Sequence, residues 1–362
     1  MKDVQRKARL IAYYLPQFHP IPENDKWWGK GFTEWTNVGK AKPLFSGHYQ
    51  PRVPADLGYY DLRVPEVREA QSEMARKHGI EGFCYWHYWF GNGKRLLERP
   101  FKEILNSHEP DFPFCLSWAN ESWKGFSHGL KNRNVLIEQL YPGREDYVAH
   151  FYELLPAFKD SRYIKIDGKP LFVIYMPLQL PDTSQFIEIW QNLAIKNGLD
   201  GIYFVGHIIQ FERIAEILKF GFDAINLNRL FDYGRFNRTL AFKLQIYLQK
   251  KVFNVPYHYN YKKVYPTFSG PEDRELNIFP TMIPGWDHTP RSGKEGLVYH
   301  NSTPKLFEKH IAQVLEKING KPEARKIVFL KSWNEWAEGN YVEPDIKFGT
   351  KYLETISKTI FA

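Results

Sequence analysis

Short apolar runs recur along the chain, and most are followed by a stretch whose apolar positions repeat every three or four residues. The runs Leu10–Leu15, Gly82–Trp89, Phe112–Trp118, Leu171–Tyr175, Ile202–Gly206, Ala224–Asn228, Phe279–Pro284 and Ile327–Ser332 are rich in β-branched and aromatic residues and read as strands. Between them the period changes to that of a helix. Val64–His78 opens with Pro65, carries Val67, Ala70, Met74 and Ala75 on one face, and stops at Gly79. Thr303–Ile318 has Thr303 to cap it, Pro304 at the first helical position, and a stripe that includes Phe307, Ile311, Val314 and Ile318. Eight strand–helix units with no linker or repeat predict an α/β fold, a single (β/α)₈ TIM barrel over residues 1–362 with long loops at its C-terminal face. An open doubly wound sheet is the alternative. Its usual companions, a Gly-x-Gly-x-x-Gly fingerprint or a Walker A loop, are absent.

Two connections are long: Gln17 to Asp61, which holds Trp27, Trp28, Phe32, Glu34 and Trp35, and Arg229 to about Ile278. Ordered loops of that length on a barrel usually build lids or walls of a site. The second is strongly basic, with eight Lys and Arg between Arg229 and Lys263 against the single Asp232. Within it, Thr239–Phe253 places Leu240, Leu244, Tyr247 and Leu248 at helical spacing. That pattern has two readings: an outer barrel helix with a solvated basic face, or a weak peripheral contact with an anionic membrane or acidic glycan. Nucleic-acid binding has no motif behind it beyond the charge. No run approaches the roughly 18 apolar residues of a membrane span. The stretch Met1–Arg9 lacks the apolar core of a signal peptide. Cys84 and Cys115, both inside apolar runs, fit buried thiols of a reducing compartment, so the expected location is cytoplasmic.

Aromatic residues make up 17% of the chain and gather near the predicted strand ends. There they stand beside acids, amides and imidazoles, the groups that bind sugar hydroxyls and stack on sugar rings. The densest example follows the last strand: Ser332-Trp333-Asn334-Glu335-Trp336-Ala337-Glu338-Gly339-Asn340. Two carboxyls three residues apart, flanked by Trp333 and Trp336, suit glycosidic-bond chemistry. One handles a proton at the leaving oxygen while the other assists the anomeric centre. The indoles would stack on a pyranose and keep water out. The alternative is a strand-end loop with solvated acids. Glu335 and Glu338 are the candidate catalytic pair, with Glu121 and Glu335 the competing pair. Because two close carboxyls do not both ionise easily, one should hold its proton, and Glu338 is the expected acid. The candidate substrate-binding set is Tyr14, His19, Trp35, His87, Trp118, Asn120, Glu121, Asn334 and Trp336. Of Tyr13 and Tyr14, alternation along a strand lets at most one point into the barrel. Neither a His-Glu-x-x-His metal motif nor a Gly-x-Ser-x-Gly elbow is present, so no metal or cofactor is expected.

The run Asn334-Glu335-Trp336-x-Glu338-Gly339, followed by Glu343-Pro344, resembles glycoside hydrolase family 99, the retaining endo-α-mannosidases and endo-α-mannanases. Over nearly its whole length the chain is more similar to bacterial WbsX-type proteins, often labelled glycosyltransferases of polysaccharide synthesis. That similarity rests on Ala12-Tyr13-Tyr14-Leu15-Pro16-Gln17-Phe18-His19, Trp27-Trp28-Gly29-Lys30-Gly31-Phe32-Thr33-Glu34-Trp35, Gly82-Phe83-Cys84-Tyr85-Trp86-His87-Tyr88-Trp89 and Trp118-Ala119-Asn120-Glu121. The resemblance implies a (β/α)₈ barrel acting on an oligosaccharide or polysaccharide. It implies that Glu335 deprotonates the sugar 2-hydroxyl, which attacks the anomeric carbon to give a 1,2-anhydro sugar, and that Glu338 is the general acid/base. The hydrolases carry His before the second Glu, where Ala337 stands here. Three functions remain in view: a retaining glycosidase-like enzyme on a bacterial polysaccharide or its precursor, a glycosyltransferase of lipopolysaccharide or capsule synthesis, and a non-catalytic glycan-binding barrel.

Overall fold

The eight apolar runs form eight parallel strands: β1 (Arg9–Tyr14), β2 (Ile80–Trp89), β3 (Phe114–Trp118), β4 (Lys169–Ile174), β5 (Tyr203–Ile208), β6 (Ala224–Leu227), β7 (Ile278–Met282) and β8 (Ile327–Leu330). Each pairs with its neighbour in sequence, and β8 pairs back onto β1 through Arg9↔Ile327 and Leu10↔Val328. The sheet is therefore a closed barrel, and the open-sheet alternative falls. The computed structural model describes residues 6–125 and 134–361; the first five residues of the N-terminal stretch considered for a leader lie outside them. Strands buried on both faces need no alternation. β8, Ile-Val-Phe-Leu, is wholly buried, which is why its apolar run is continuous.

The main helices are α1 (Pro65–Lys77), α2 (Arg99–Ser107), α3 (Arg144–Lys159), α4 (Thr183–Lys196), α5 (Ile214–Lys219), α6 (Leu240–Tyr247), α7 (Pro304–Ile318) and α8 (Lys351–Ile360), and all but α6 pack around the barrel. In α7 the Leu306 amide donates to Thr303 Oγ1 (3.3 Å), and Phe307, Ile311, Val314 and Ile318 are buried, as the stripe requires. Cys84 and Cys115 are free, buried and side by side across β2 and β3.

Helix α6 departs from expectation. Phe242 faces inward, while Leu240, Leu244 and Tyr247 of the supposed core stripe point to solvent. The reason is local. The chain between β6 and β7 does not lie on the barrel but builds its own small core of Leu230, Phe242, Tyr259, Tyr261, Val264 and Phe268 beside the barrel mouth. The strands Tyr257–Asn260, Leu297–His300 and Trp286–Asp287 form a three-stranded sheet there. Among the described residues no helix is long and apolar enough to cross a membrane.

Candidate active site at the barrel mouth

β8 delivers the carboxyl-bearing segment to the C-terminal end of the barrel. Past Leu330 the Trp333 amide donates to the Tyr13 carbonyl (2.8 Å), anchoring the chain to β1. Asn334–Glu335 then pairs antiparallel with Asn340–Tyr341, and Trp336–Glu338 makes the tight turn between them. Gly339 closes that turn at φ 61°. A Cβ there would sit 2.7 Å from Asp287 Cβ, so only glycine lets the turn close against the loop after β7. Glu335 and Glu338 thereby line one cavity of about 390 Å³, together with Trp86, Tyr88, Tyr175 and Trp286.

Glu335 is held at both oxygens: Trp86 Nε1 donates to Oε1 (2.7 Å) and Lys331 Nζ to Oε2 (2.9 Å). Lys331 also lies 3.7 Å from Glu338, and Arg291 bridges Glu338 to the buried Glu34. The carboxyls of Glu335 and Glu338 act on one another, and their proton affinities diverge. Burial pushes Glu335 above the usual carboxylate range, the charge on Glu338 adds to this, and Lys331 offsets only part. Burial also pushes at Glu338, but Arg291 and then Lys331 hold it below that range. These directions run against the expectation that Glu338 keeps the proton, because Arg291 and Lys331 both face Glu338. Glu121 lines the same cavity, and burial followed by the charge on Glu338 lifts it to about 7. His207 is pushed down to about 3 by burial and by Lys331, and so lines the cavity as a neutral imidazole.

Of the residues singled out from the sequence, Glu335, Glu338 and Glu121 line the cavity; the others stand behind it. Tyr14 points out of the barrel, its hydroxyl donating to Gln71 of α1 (2.7 Å), and Tyr13 is the inward member of the pair, bonded to Asn226 (2.7 Å). His87 also faces outward, 2.8 Å from His150 of α3, and Trp118 donates to the Trp89 carbonyl (3.0 Å). His19 bonds the Pro16 carbonyl (3.0 Å) and Trp35 the Tyr60 carbonyl (2.8 Å). Two amides act as staples. Asn120 clasps the Met176 backbone on both sides (2.7 and 2.9 Å), and Asn334 does the same to Leu15 (2.7 and 3.0 Å).

Trp336 is buried against Tyr341, with ring centroids 3.7 Å apart, and donates to Glu343 (2.6 Å); Trp333 is fully buried against Phe83. The two indoles expected to stack on sugar instead brace the loop. Ala337 is likewise buried. The aromatic walls are Trp86, stacked on Tyr13 at 4.7 Å, with Tyr88, Tyr175 and Trp286. Strand parity was the signal for two of them: on β2, Trp86 and Tyr88 point in, while Tyr85 and His87 point out. Lys331 and Arg291 escaped the sequence reading altogether. Among the described residues no three His, Cys, Asp or Glu side chains group to hold a metal.

A family model described as "Glycosyltransferase WbsX" matches residues 10–356. The "Uncharacterized protein WxcX" of Xanthomonas campestris pv. campestris strain B100 is 35% identical over 359 residues, covering 98% of this chain. The chain spans about half the length of that relative, 50% of it. Among solved structures, a "Glycoside hydrolase-like protein" matches with a TM-score of 0.61 at 15% identity, covering 99% of this chain and 95% of the other. The GH99 endo-alpha-mannosidase from Bacteroides thetaiotaomicron, in complex with bis-tris-propane, also gives 0.61 at 15% identity, covering 97% and 96%. At that identity the likeness is one of fold.

Proposed function

The chain belongs to the family described as Glycosyltransferase WbsX, and we propose that its barrel mouth is the active site of a retaining, glycoside hydrolase-like enzyme acting on a bacterial polysaccharide or its precursor. The observation that carries this reading is the Glu335–Glu338 pair, sharing Lys331 and walled by Trp86 and Trp286 in one cavity.

In the first step Glu335, as carboxylate, takes the proton of the sugar 2-hydroxyl. That oxygen bonds to the anomeric carbon while the glycosidic bond breaks, and Glu338 gives its proton to the leaving oxygen. In the second, Glu338 takes a proton from the acceptor hydroxyl, whose oxygen bonds to the anomeric carbon; the anhydro bond opens and Glu335 returns its proton. Two displacements leave the anomeric configuration retained. The chemistry needs one proton on the pair, located on Glu338. The charges around the pair favour Glu335 instead, so the proton must pass from Glu335 to Glu338 before the first step. A sugar 2-hydroxyl donating to Glu335 stabilises its anion and drives that transfer.

Glycosyl transfer is the second reading, favoured by the family's own description. It shares the first step and differs in the acceptor, a sugar hydroxyl in place of water. Glu335→Gln and Glu338→Gln should each lower turnover by at least about 100-fold with folding intact. Unchanged turnover in either variant refutes the mechanism. Calorimetry with nucleotide sugars separates a nucleotide-dependent transferase from the anhydro route.

A further inference from the structure

Helix α6 presents its apolar side to solvent. Leu240 is 84% exposed, Leu244 57%, Tyr247 58% and, in the turn that follows, Phe253 65%. A contiguous exposed patch of large apolar side chains marks a contact surface. Arg238, Lys243 and Lys251 are interleaved with it, all exposed and free of ion pairs among the described residues. No acidic residue occurs between Asp232 and Glu272.

The patch runs on to the cavity. Phe236, at its start, packs on Phe211 at 5.7 Å; Phe231, 40% exposed, lines the cavity itself, as do Ile209 and Arg213 on either side of Phe211. We propose that α6 and its flanking loops dock the protein on an anionic bilayer, with the cavity mouth held at the level of the lipid headgroups. Exposed leucines with an aromatic residue and interspersed cations form an interfacial helix: the apolar side chains enter the acyl boundary and the cations meet the headgroups. A second copy of the chain fits less well, because a two-fold contact through this face would set its unpaired cations against one another. The docking stands independently of the chemistry proposed for Glu335 and Glu338. It would let the barrel reach a glycan still attached to a membrane lipid.

The test is flotation of the full chain with vesicles of phosphatidylcholine alone, or with about one third phosphatidylglycerol. The protein should bind the anionic vesicles, more weakly as salt is raised, and not the neutral ones. The Leu240→Asp, Leu244→Asp double variant and the Lys243→Gln, Lys251→Gln double variant should each lower partition by roughly tenfold or more. Since all four side chains are exposed, both variants should keep the circular dichroism and melting temperature of the parent. No binding to anionic vesicles, or equal binding to both kinds, overturns the proposal. So does a dimer in sedimentation velocity that the leucine variant dissociates while no vesicle binding is found.

Discussion

Lys331→Met removes a cation that both candidate catalytic carboxyls share. Its ammonium lies 2.9 Å from Glu335 and 3.7 Å from Glu338. At an effective dielectric constant near 20 these separations correspond to roughly 6 and 4.5 kcal/mol of attraction. Loss of the first should lift Glu335 further above the usual carboxylate range, less the part that water entering the space returns. Glu335 would then hold its proton more tightly and accept the 2-hydroxyl proton less readily. The direct assay is ¹³C NMR titration of glutamate side-chain carboxyls, with Glu335→Gln assigning the signal, which needs no substrate. A raised folded pKa contributes stability that is full below the unfolded value and lost as pH rises through the folded one. The variant should therefore lose urea resistance on going from acid to alkaline pH more steeply than the parent. Lys331→Arg, which keeps the charge, should behave nearly as the parent. A Glu335 signal in Lys331→Met that titrates within about half a unit of the parent would refute the electrostatic account of the pair.

Other perturbations separate the cavity from its supports. Trp86→Phe deletes the 2.7 Å bond to Glu335 and should lower kcat by about 10- to 100-fold, as expected for a hydrogen bond to a charged group. Tyr14→Phe strips the buried Gln71 oxygen of its donor; it should cost about 1–2 kcal/mol in urea unfolding and leave kcat within about twofold. Glu121, lifted to about 7 mainly by burial, should give kcat/KM an inflexion near neutral pH that disappears in Glu121→Gln. Glu343 is also pushed up to about 7 by burial, against the donors Trp336, Gln71 and Tyr60. Both carboxyls then favour the fold in their protonated form. Stability should fall between about pH 5 and pH 8, by on the order of 3 kcal/mol for Glu343 alone, and the Glu121→Gln, Glu343→Gln double variant should lose most of that slope.

The barrel could be read from the chain because its strands are buried on both faces and so appear as unbroken apolar runs, β8 most plainly. The carboxyl motif was legible for a related reason: Glu335 and Glu338 follow β8 immediately, so local sequence alone brings them to the mouth. Their charge environment was not legible. Arg291 arrives from the loop after β7 and Glu34 from the loop after β1, and only closure of the barrel brings them together. Aromatic density misled in a different way. Trp333, Trp336, Trp118 and His87 stand at strand ends as a sugar site would require, yet they pack behind the cavity. Applying the two-residue alternation to β2, as it was to Tyr13 and Tyr14, would have selected Trp86 and Tyr88 over His87. For α6 the helical period was right and its facing was wrong, because period does not reveal which side has a partner.

The proposed role of Glu335 and Glu338 is cleavage of a glycosidic bond by two successive displacements. It is tested by incubating the full chain with a panel of bacterial glycans and nucleotide sugars and recording the anomeric protons of the first product by NMR, before mutarotation mixes them. The mechanism requires the product to keep the anomeric configuration of the bond that was broken. An inverted first product would contradict it.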